Sequence, residues 1–180
     1  MPIHVAFQGK PSAIVTPRAI AMRAGRMMRA LQIEDHELSI LLTDDKQIKI
    51  LNRDYRKKNR PTDVLAFAMR EGSGGHLAGR VLGDVIISLE TAERQAPQFS
   101  RSSAEEVTFL LAHGLLHLLG WDHDTDAKER AMTKETKKLC VAAASAPKAA
   151  TKTSPTRKKQ GDRRPRGASP RARPLRRKSK

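Results

Sequence analysis

The chain has 180 residues, of which 35 are Lys or Arg and 19 are Asp or Glu, giving a formal net charge of +16. This length fits one domain with an additional segment. Residues 145–180 contain fourteen basic side chains and a single acidic one, Asp162, and so carry +13, whereas the preceding 144 residues carry +3. A function that depends on a strongly basic surface is therefore predicted for the C-terminal segment and not for the whole chain.

Cysteine content and hydropathy exclude two further classes of protein. The single cysteine, Cys140, excludes an intramolecular disulfide and favours a reducing compartment. The N-terminal residues lack the layout of a signal peptide, and no apolar run approaches the ~20 residues of a membrane span. We therefore expect a cytoplasmic protein without a membrane partner.

Four short segments are predicted to be β-strands. Apolar and polar residues alternate through Ile3, Val5 and Phe7, which is typical of a strand with one buried face. The segment 37–42 becomes almost continuously apolar, as expected for a strand covered on both faces. Two further strands are predicted at 64–67 and at 81–87, the second ending at Ser88.

Capping signals predict helices between these strands. Thr16 and Pro17 open a helix that should run to about Leu31, and the segment 43–45 opens a shorter one. Their inward-facing residues are predicted to be Ile20, Met27, Met28 and Leu31 in the first helix and Ile48, Leu51 and Tyr55 in the second. The arginines predicted to face solvent are Arg18, Arg23, Arg26 and Arg29. The charged segment 52–63 is predicted to be a loop, and another helix should span residues 89–95.

A buried helix and a basic tail are predicted for the C-terminal half. Ser102 and Glu105 have the spacing of a capping box, and the helix that they open is apolar on nearly all sides, which is typical of the middle of a domain. A last helix, capped by Thr125 or Asp126, should follow. From residue 142 the composition predicts disorder, so we assign a folded domain to 1–141 and a tail to 142–180. The tail is interpreted as a solubilising segment or as a sequence-independent tether for polyanions.

Three of the six histidines lie within eleven residues, at His113, His117 and His123. Positions 113 and 117 project from one face of a helix. Gly120 suits the left-handed conformation that ends a helix, so His123 can fold back toward the other two. Three imidazoles with a fourth position left for water are typical of a catalytic zinc site. Imidazole also suits nickel, copper and iron.

The histidine spacing is that of the metzincin proteases, H-E-x-x-H-x-x-G-x-x-H, except at one position. Those proteases have a Glu after the first histidine, and this Glu is their general base. Gly114 stands there in this chain and offers no proton acceptor. A zinc hydrolase acting on peptides therefore remains only an alternative.

Four stretches together resemble the YbeY family of bacterial ribosomal RNA maturation factors. They are Leu51-Asn-Arg-Asp-Tyr-Arg56, Pro61-Thr-Asp-Val-Leu65, Leu82-Gly-Asp-Val-Ile-Ile-Ser88 and His113-Gly-Leu-Leu-His117-Leu-Leu-Gly-Trp-Asp-His123. The resemblance covers about residues 3–140 and not the tail. The chain departs from the family pattern at Ala66, Ala68 and Trp121, where Ser, Pro and Tyr are usual. These changes are expected to alter packing near the site and not the set of ligands.

The resemblance implies a small α/β sandwich with a mixed four-stranded sheet, about five helices and a metal site on a buried central helix. It implies a single-strand-specific, metal-dependent endoribonuclease acting in late small-subunit quality control and in maturation of the ribosomal RNA 3′ end. The implied partners are ribosomal RNA, the small ribosomal subunit and a ribosome-assembly GTPase, with no small-molecule cofactor. The implied metal ligands are His113, His117 and His123, with one divalent ion, zinc or alternatively nickel. The implied functional arginine is Arg56.

Other residues have candidate roles from their chemistry alone. The forked guanidinium of Arg56 fits two phosphate oxygens, and the basic residues that follow it could track an RNA backbone; these are Lys57, Lys58 and Arg60. Asp122 could accept an imidazole N–H or cap a turn, and Ser88 and Asp63 could line the cleft or cap helices.

Two further expectations concern the class of function. Aromatic residues make up only 3% of the chain, so base stacking is expected to contribute little to RNA binding. A non-catalytic ribosome assembly factor with a structural metal, bound to RNA through its tail, is the second alternative to the endoribonuclease. It would need a fourth protein ligand, for example Asp122 or Asp126, because structural zinc sites are usually closed.

Overall fold

The structure is a computed structural model that describes residues 3–9, 13–69 and 79–145. The predicted tail beyond 145 and His76 lie outside the described residues. The strands are β1 (Ile3–Gln8), β2 (Glu37–Thr43), β3 (Val64–Ala68) and β4 (Val81–Ser88). The helices are α1 (Pro17–Ala30), α2 (Asp45–Arg56), α3 (Leu89–Gln95), α4 (Ser103–Leu118) and α5 (Asp126–Ala144), with a short 3₁₀ turn at Ala96–Phe99.

The four strands form one mixed sheet in the order β1-β2-β4-β3. β1 and β4 both run parallel to β2, whereas β3 runs antiparallel to β4. Each parallel connection contains a helix, as such connections require. The predicted α/β fold with a mixed four-stranded sheet and five helices is confirmed.

The sheet separates a large core from a small one. Alternate residues of β2 and β4, such as Ile40 and Val85, face the large core together with the apolar sides of α1, α4 and α5. The opposite residues, such as Ile86, pack with Ile48 of α2 and Leu65 of β3 in the small core. Because α4 packs on β3 and β4 at the centre of the large core, the helix that carries two of the candidate ligands has a rigid support.

Sequence predictions for the caps are confirmed, but two predictions for α2 were wrong. The side chain of Thr16 accepts a hydrogen bond from Ala19 N, and Ser102 and Glu105 form the complete capping box of α4. Segment 52–56 is not a loop, because α2 continues to Arg56 and ends where Lys57 adopts φ 59°. Tyr55 is 67% exposed and does not face the core.

The arginines of α1 are not all solvated. Arg23 donates hydrogen bonds to Ala104 O at 3.0 Å and to Thr108 Oγ1 at 2.7 Å. Arg26 donates to Ala143 O at 2.7 Å. These two side chains therefore tie α1 to α4 and α5, which helical spacing alone does not reveal. Helix α5 continues to Ala144, three residues beyond the predicted limit of the folded domain.

Candidate metal centre

The first two histidines are positioned by the last turns of α4. Both are half-buried. The Nε2 atoms of His113 and His117 lie 3.2 Å apart. Two nitrogens bound to one zinc ion at about 2.0–2.1 Å in tetrahedral geometry lie about 3.3 Å apart. The pair is therefore already spaced as two ligands of a single cation.

The end of α4 directs the chain back toward this pair. Gly120 has φ +83°, and its N–H donates to His117 O at 2.9 Å, while Trp121 N–H donates to Leu116 O at 3.1 Å. These two bonds form a Schellman motif, which terminates the helix and reverses the chain. His123 is brought back so that ligand atoms of the three histidines all lie within 4.8 Å of one another. The predicted convergence of the three histidines is confirmed.

Hydrogen bonding and burial leave the imidazoles suited to a metal. His117 Nδ1–H donates to Trp121 O at 3.0 Å, so Nε2 of this ring carries the free lone pair. Burial, followed by the charges of His117 and His123, lowers the pKa of His113 to about 4. Burial also lowers the pKa of His117. Neutral imidazoles at neutral pH are the form that binds cations, so the residues fit a divalent metal.

Gly114 lies where α4 packs tightly against β3 and β4. A Cβ atom at this position would lie 2.7 Å from Cγ1 of Val85 and 3.3 Å from Cγ2 of Val64. Position 114 therefore faces β3 and β4 and not the histidine cluster. A glutamate here would be driven into the sheet, which explains why the general base of the metzincin pattern is missing.

Arg56 is the last residue of α2 and is exposed. The pKa of His117 is lowered by burial first, then by the charge of His123, and then by the positive charge of Arg56. The guanidinium of Arg56 therefore lies near enough to act on the cluster. The basic residues that follow it lie in an exposed loop; they are Lys57, Lys58 and Arg60. Buried Asn52 holds this loop, because its Nδ2 donates to Arg60 O at 2.8 Å.

The other candidates divide between turns and the cleft. Asp122 Oδ1 accepts His123 N–H at 2.7 Å, so Asp122 caps the turn, and the acceptor for the His117 imidazole is a backbone carbonyl. Ser88 is fully buried and caps α3 through Thr91 N. Asp63 lines a cleft beside the cluster. Its negative charge raises the pKa of His113, but burial lowers that pKa by more.

Sequence reasoning missed a polar network behind this cleft. Glu106 is 1% exposed and accepts from Arg101 Nη1 at 2.6 Å and from Gln95 Nε2 at 2.9 Å. Gln95 Nε2 also donates to Asp63 Oδ2 at 3.3 Å. The available signal was Glu106 itself, a charged residue that the capping box does not use, seven positions before His113 and so on the same face of a mostly apolar helix.

Comparisons with known proteins identify a family for this chain. The family model described as Endoribonuclease YbeY matches residues 15–143. The chain is 48% identical over 108 residues to Endoribonuclease YbeY of Aquifex aeolicus, covering 60% of this chain and 70% of the relative. It is 42% identical over 137 residues to that of Geobacter metallireducens, covering 76% and 91%. The solution structure of TM1509 from Thermotoga maritima aligns with a TM-score of 0.55 and 25% identity, covering 78% of this chain and 88% of that one.

Proposed function

The chain belongs to the endoribonuclease YbeY family, and on that premise we propose that it is a metal-dependent endoribonuclease that cleaves single-stranded RNA beside the histidine cluster. The observation that carries this proposal is the convergence of three imidazoles within 4.8 Å. The ligands proposed for one divalent cation are His113, His117 and His123. Zinc is the preferred ion for such ligands, and nickel is the alternative.

The chemistry proposed for the site divides between the ion and the chain. A divalent cation supplies Lewis acidity, which lowers the pKa of a bound water and stabilises charge on phosphoryl oxygens. This reduces the need for a protein base at position 114. Arg56 is proposed to pair with the phosphoryl oxygens as negative charge develops on them, because its guanidinium is always ionised and forked. The exposed loop at 57–60 is proposed to hold the RNA backbone.

The biological role that we propose follows the family resemblance. The substrate is small-subunit ribosomal RNA, cleaved during maturation of its 3′ end and during late quality control of the subunit in the cytoplasm. The proposed partners are ribosomal RNA, the small ribosomal subunit and a ribosome-assembly GTPase. Among the helices of the described part of the chain, none is long and apolar enough to cross a bilayer.

The two alternative functions are disfavoured by specific contacts. Peptide hydrolysis of the metzincin type requires a base after the first histidine, but this chain has glycine there, and a Cβ atom at position 114 would lie only 2.7 Å from Cγ1 of Val85. A structural metal requires a closed set of ligands. Within the described residues, the only group of His, Cys, Asp or Glu side chains suited to a cation contains three members and no carboxylate.

The test of this function is cleavage of a defined single-stranded RNA by the full chain. Cleavage should be lost with a chelator and restored by one divalent ion, which would separate it from a metal-independent contaminant. Arg56→Gln should slow cleavage about 100-fold, the effect typical of removing one stabilising donor, with metal content unchanged.

Arg53→Gln is the matched control, because Arg53 is also an exposed arginine in the last turn of α2 but pairs with Asp54 at 2.7 Å. It should cleave like the unmodified chain. Equal rates for the two variants, or cleavage that persists in excess chelator, would contradict the proposal.

A further inference from the structure

A cleft of about 510 Å³ opens directly beside the histidine cluster. His113 and His123 form one part of its lining, and Phe99, Arg101 and Phe109 form another. The proposed cleavage chemistry uses the histidines but gives no role to the remaining residues. The volume lies in the usual range of small-ligand sites, about 300–1,000 Å³, so the cleft has room for part of a substrate.

The planar side chains of this cleft form a row that leads to the cluster. The guanidinium carbon of Arg101 lies 3.8 Å from the centroid of the Phe109 ring and 5.2 Å from that of Phe99. The Phe109 ring in turn lies nearly parallel to the His113 imidazole, with centroids 6.4 Å apart and an interplanar angle of 11°. Aromatic rings and arginine planes are the surfaces on which unpaired RNA bases stack.

Arg101 is fixed before any ligand arrives. Its Nη1 donates to the buried carboxylate of Glu106 at 2.6 Å, and a buried charge of this kind must keep its partner. Within the described residues, no protein group accepts a hydrogen bond from Nε or Nη2 of Arg101. The guanidinium is therefore rigidly held and still has donors for acceptor atoms on the edge of a base.

Phe99 is the accessible end of the row. It is 55% exposed and is followed by Ser100 in the left-handed region at φ 55°, where the chain turns toward α4. A single exposed phenylalanine is ordinary, but this one lines the same cleft as two of the three histidines.

We propose that this cleft is a nucleobase subsite, in which one base of an RNA strand whose backbone reaches the histidine cluster stacks on Phe99 and meets the free donors of Arg101. The inference rests on the proposed endoribonuclease function. A base is the occupant because it alone combines a planar face for the ring, acceptors for the guanidinium and a covalent link to a phosphate at the adjacent cluster. Stacking tolerates all four bases, so this subsite selects unpaired RNA and not a particular sequence. The low aromatic content of the chain predicts little base stacking overall, and this subsite is a local exception to that expectation.

The test measures binding of two labelled oligomers of equal length to the chelated full chain: a single-stranded oligoribonucleotide and its base-free sugar-phosphate counterpart. The salt concentration is raised to weaken binding that depends on phosphate charge alone. Phe99→Ala should weaken binding of the base-bearing oligomer about tenfold, a magnitude typical of one base–aromatic stack. It should leave the base-free oligomer unaffected, and Phe99→Trp should bind the base-bearing oligomer like the unmodified chain.

Phe7→Ala is the matched control, because Phe7 is an exposed phenylalanine, at 37%, on the edge strand β1. It should leave both affinities unchanged. Arg101 is not replaced, because its loss would leave the buried carboxylate of Glu106 without its ion-pair partner. The subsite is overturned if Phe99→Ala binds the base-bearing oligomer normally, if it weakens both oligomers equally, or if Phe7→Ala has the same effect.

A parallel cleavage assay with the metal-loaded chains separates the two proposals. Phe99→Ala should raise KM with kcat unchanged, as expected when uniform binding is removed. If the unmodified chain fails to cleave RNA while Phe99→Ala still shows the base-dependent loss of affinity, the subsite stands and the nuclease proposal falls. If the unmodified chain cleaves and Phe99→Ala has the same KM, the subsite falls alone.

Discussion

The imidazoles of His113 and His117 combine two properties that a metal site needs. Both rings are half-buried on the last turns of α4, so burial lowers the pKa of each and keeps it neutral near pH 7. The hydrogen bond from His117 Nδ1 to Trp121 O selects the nitrogen that remains available. Neutrality and tautomer are thus set by the backbone turn and by burial, before any ion binds.

This electrostatic environment predicts how the stability of the metal-free protein depends on pH. The pKa of His113 is about 4 in the folded chain, against about 6.5 when unfolded, so between these values the unfolded state binds more protons. Stability should therefore fall as pH is lowered from about 6.5 toward 4. Chemical unfolding of the chelated chain at a series of pH values measures this fall.

His113→Asn provides the control for this prediction. Removing the His113 ring should reduce the decline in the free energy of unfolding between pH 6.5 and pH 4, while the part that is due to His117, whose pKa burial also lowers, should remain. Carboxylates with lowered pKa values, such as Asp45, stop stabilising the folded protein only when the pH falls below their ordinary range. They therefore do not account for a decline in stability between pH 6.5 and pH 4. An identical decline in the variant would show that His113 is not the group responsible.

The contact between α4 and the sheet fixes the position of the whole site. Val85 of β4 and Val64 of β3 lie so close to Gly114 that a Cβ atom has no room without movement. The absence of a side chain lets α4 settle onto the strands and holds both histidines at a defined height above the sheet.

We therefore expect Gly114→Ala to destabilise the protein, although alanine is the better helix former. The gain in helix propensity is about 1 kcal/mol, whereas overpacking a core contact costs about 1–3 kcal/mol, so the net loss should be up to about 2 kcal/mol. Thermal and chemical unfolding of the metal-free chain measure it.

Val85→Ala tests the contact itself in a double-mutant cycle. The double variant should be more stable than the sum of the two single changes predicts, because the shortened Val85 side chain makes room for the new methyl group. If the two changes in the free energy of unfolding simply add, the methyl group introduced at position 114 does not collide with the side chain of Val85.

Local signals in the sequence were sufficient for the elements and for the histidine cluster. The signals were the spacing of four residues between His113 and His117, the capping box of α4 and the helix-ending Gly120. Each depends on a few neighbouring residues only, and the structure confirms the prediction that was made from each. The last turn of α2 was missed because its exposed residues are charged and because Asn52 is anchored by a contact outside the helix, to the carbonyl of Arg60. The contacts of Arg23 with α4 were missed for the same reason.

At the scale of the whole molecule, most of the net positive charge lies in residues 145–180, which carry +13 of the net +16. The segment 146–180 lies outside the described residues, so its role as a tether for RNA stays a prediction. Lysine and arginine that neutralise phosphates make binding weaker as salt increases. We expect the tail to supply affinity for RNA and the folded domain to supply the cleavage site.

Deleting residues 148–180 should weaken binding to single-stranded RNA and flatten its salt dependence. The removed segment holds fourteen basic residues, each contributing about 0.7 to the logarithmic salt slope if it contacts a phosphate. Metal content of the truncated chain should be unchanged. A salt slope equal to that of the full chain would show that the tail does not contact RNA.

Three imidazoles are proposed to hold one cation whose remaining coordination belongs to solvent and substrate. X-ray absorption spectroscopy of the chain loaded with one equivalent of zinc tests it directly. We predict three imidazole nitrogens per ion and no protein carboxylate, with the imidazole count and the affinity both reduced in His117→Ala. A fourth ligand from the chain, or unchanged coordination in His117→Ala, would contradict the claim.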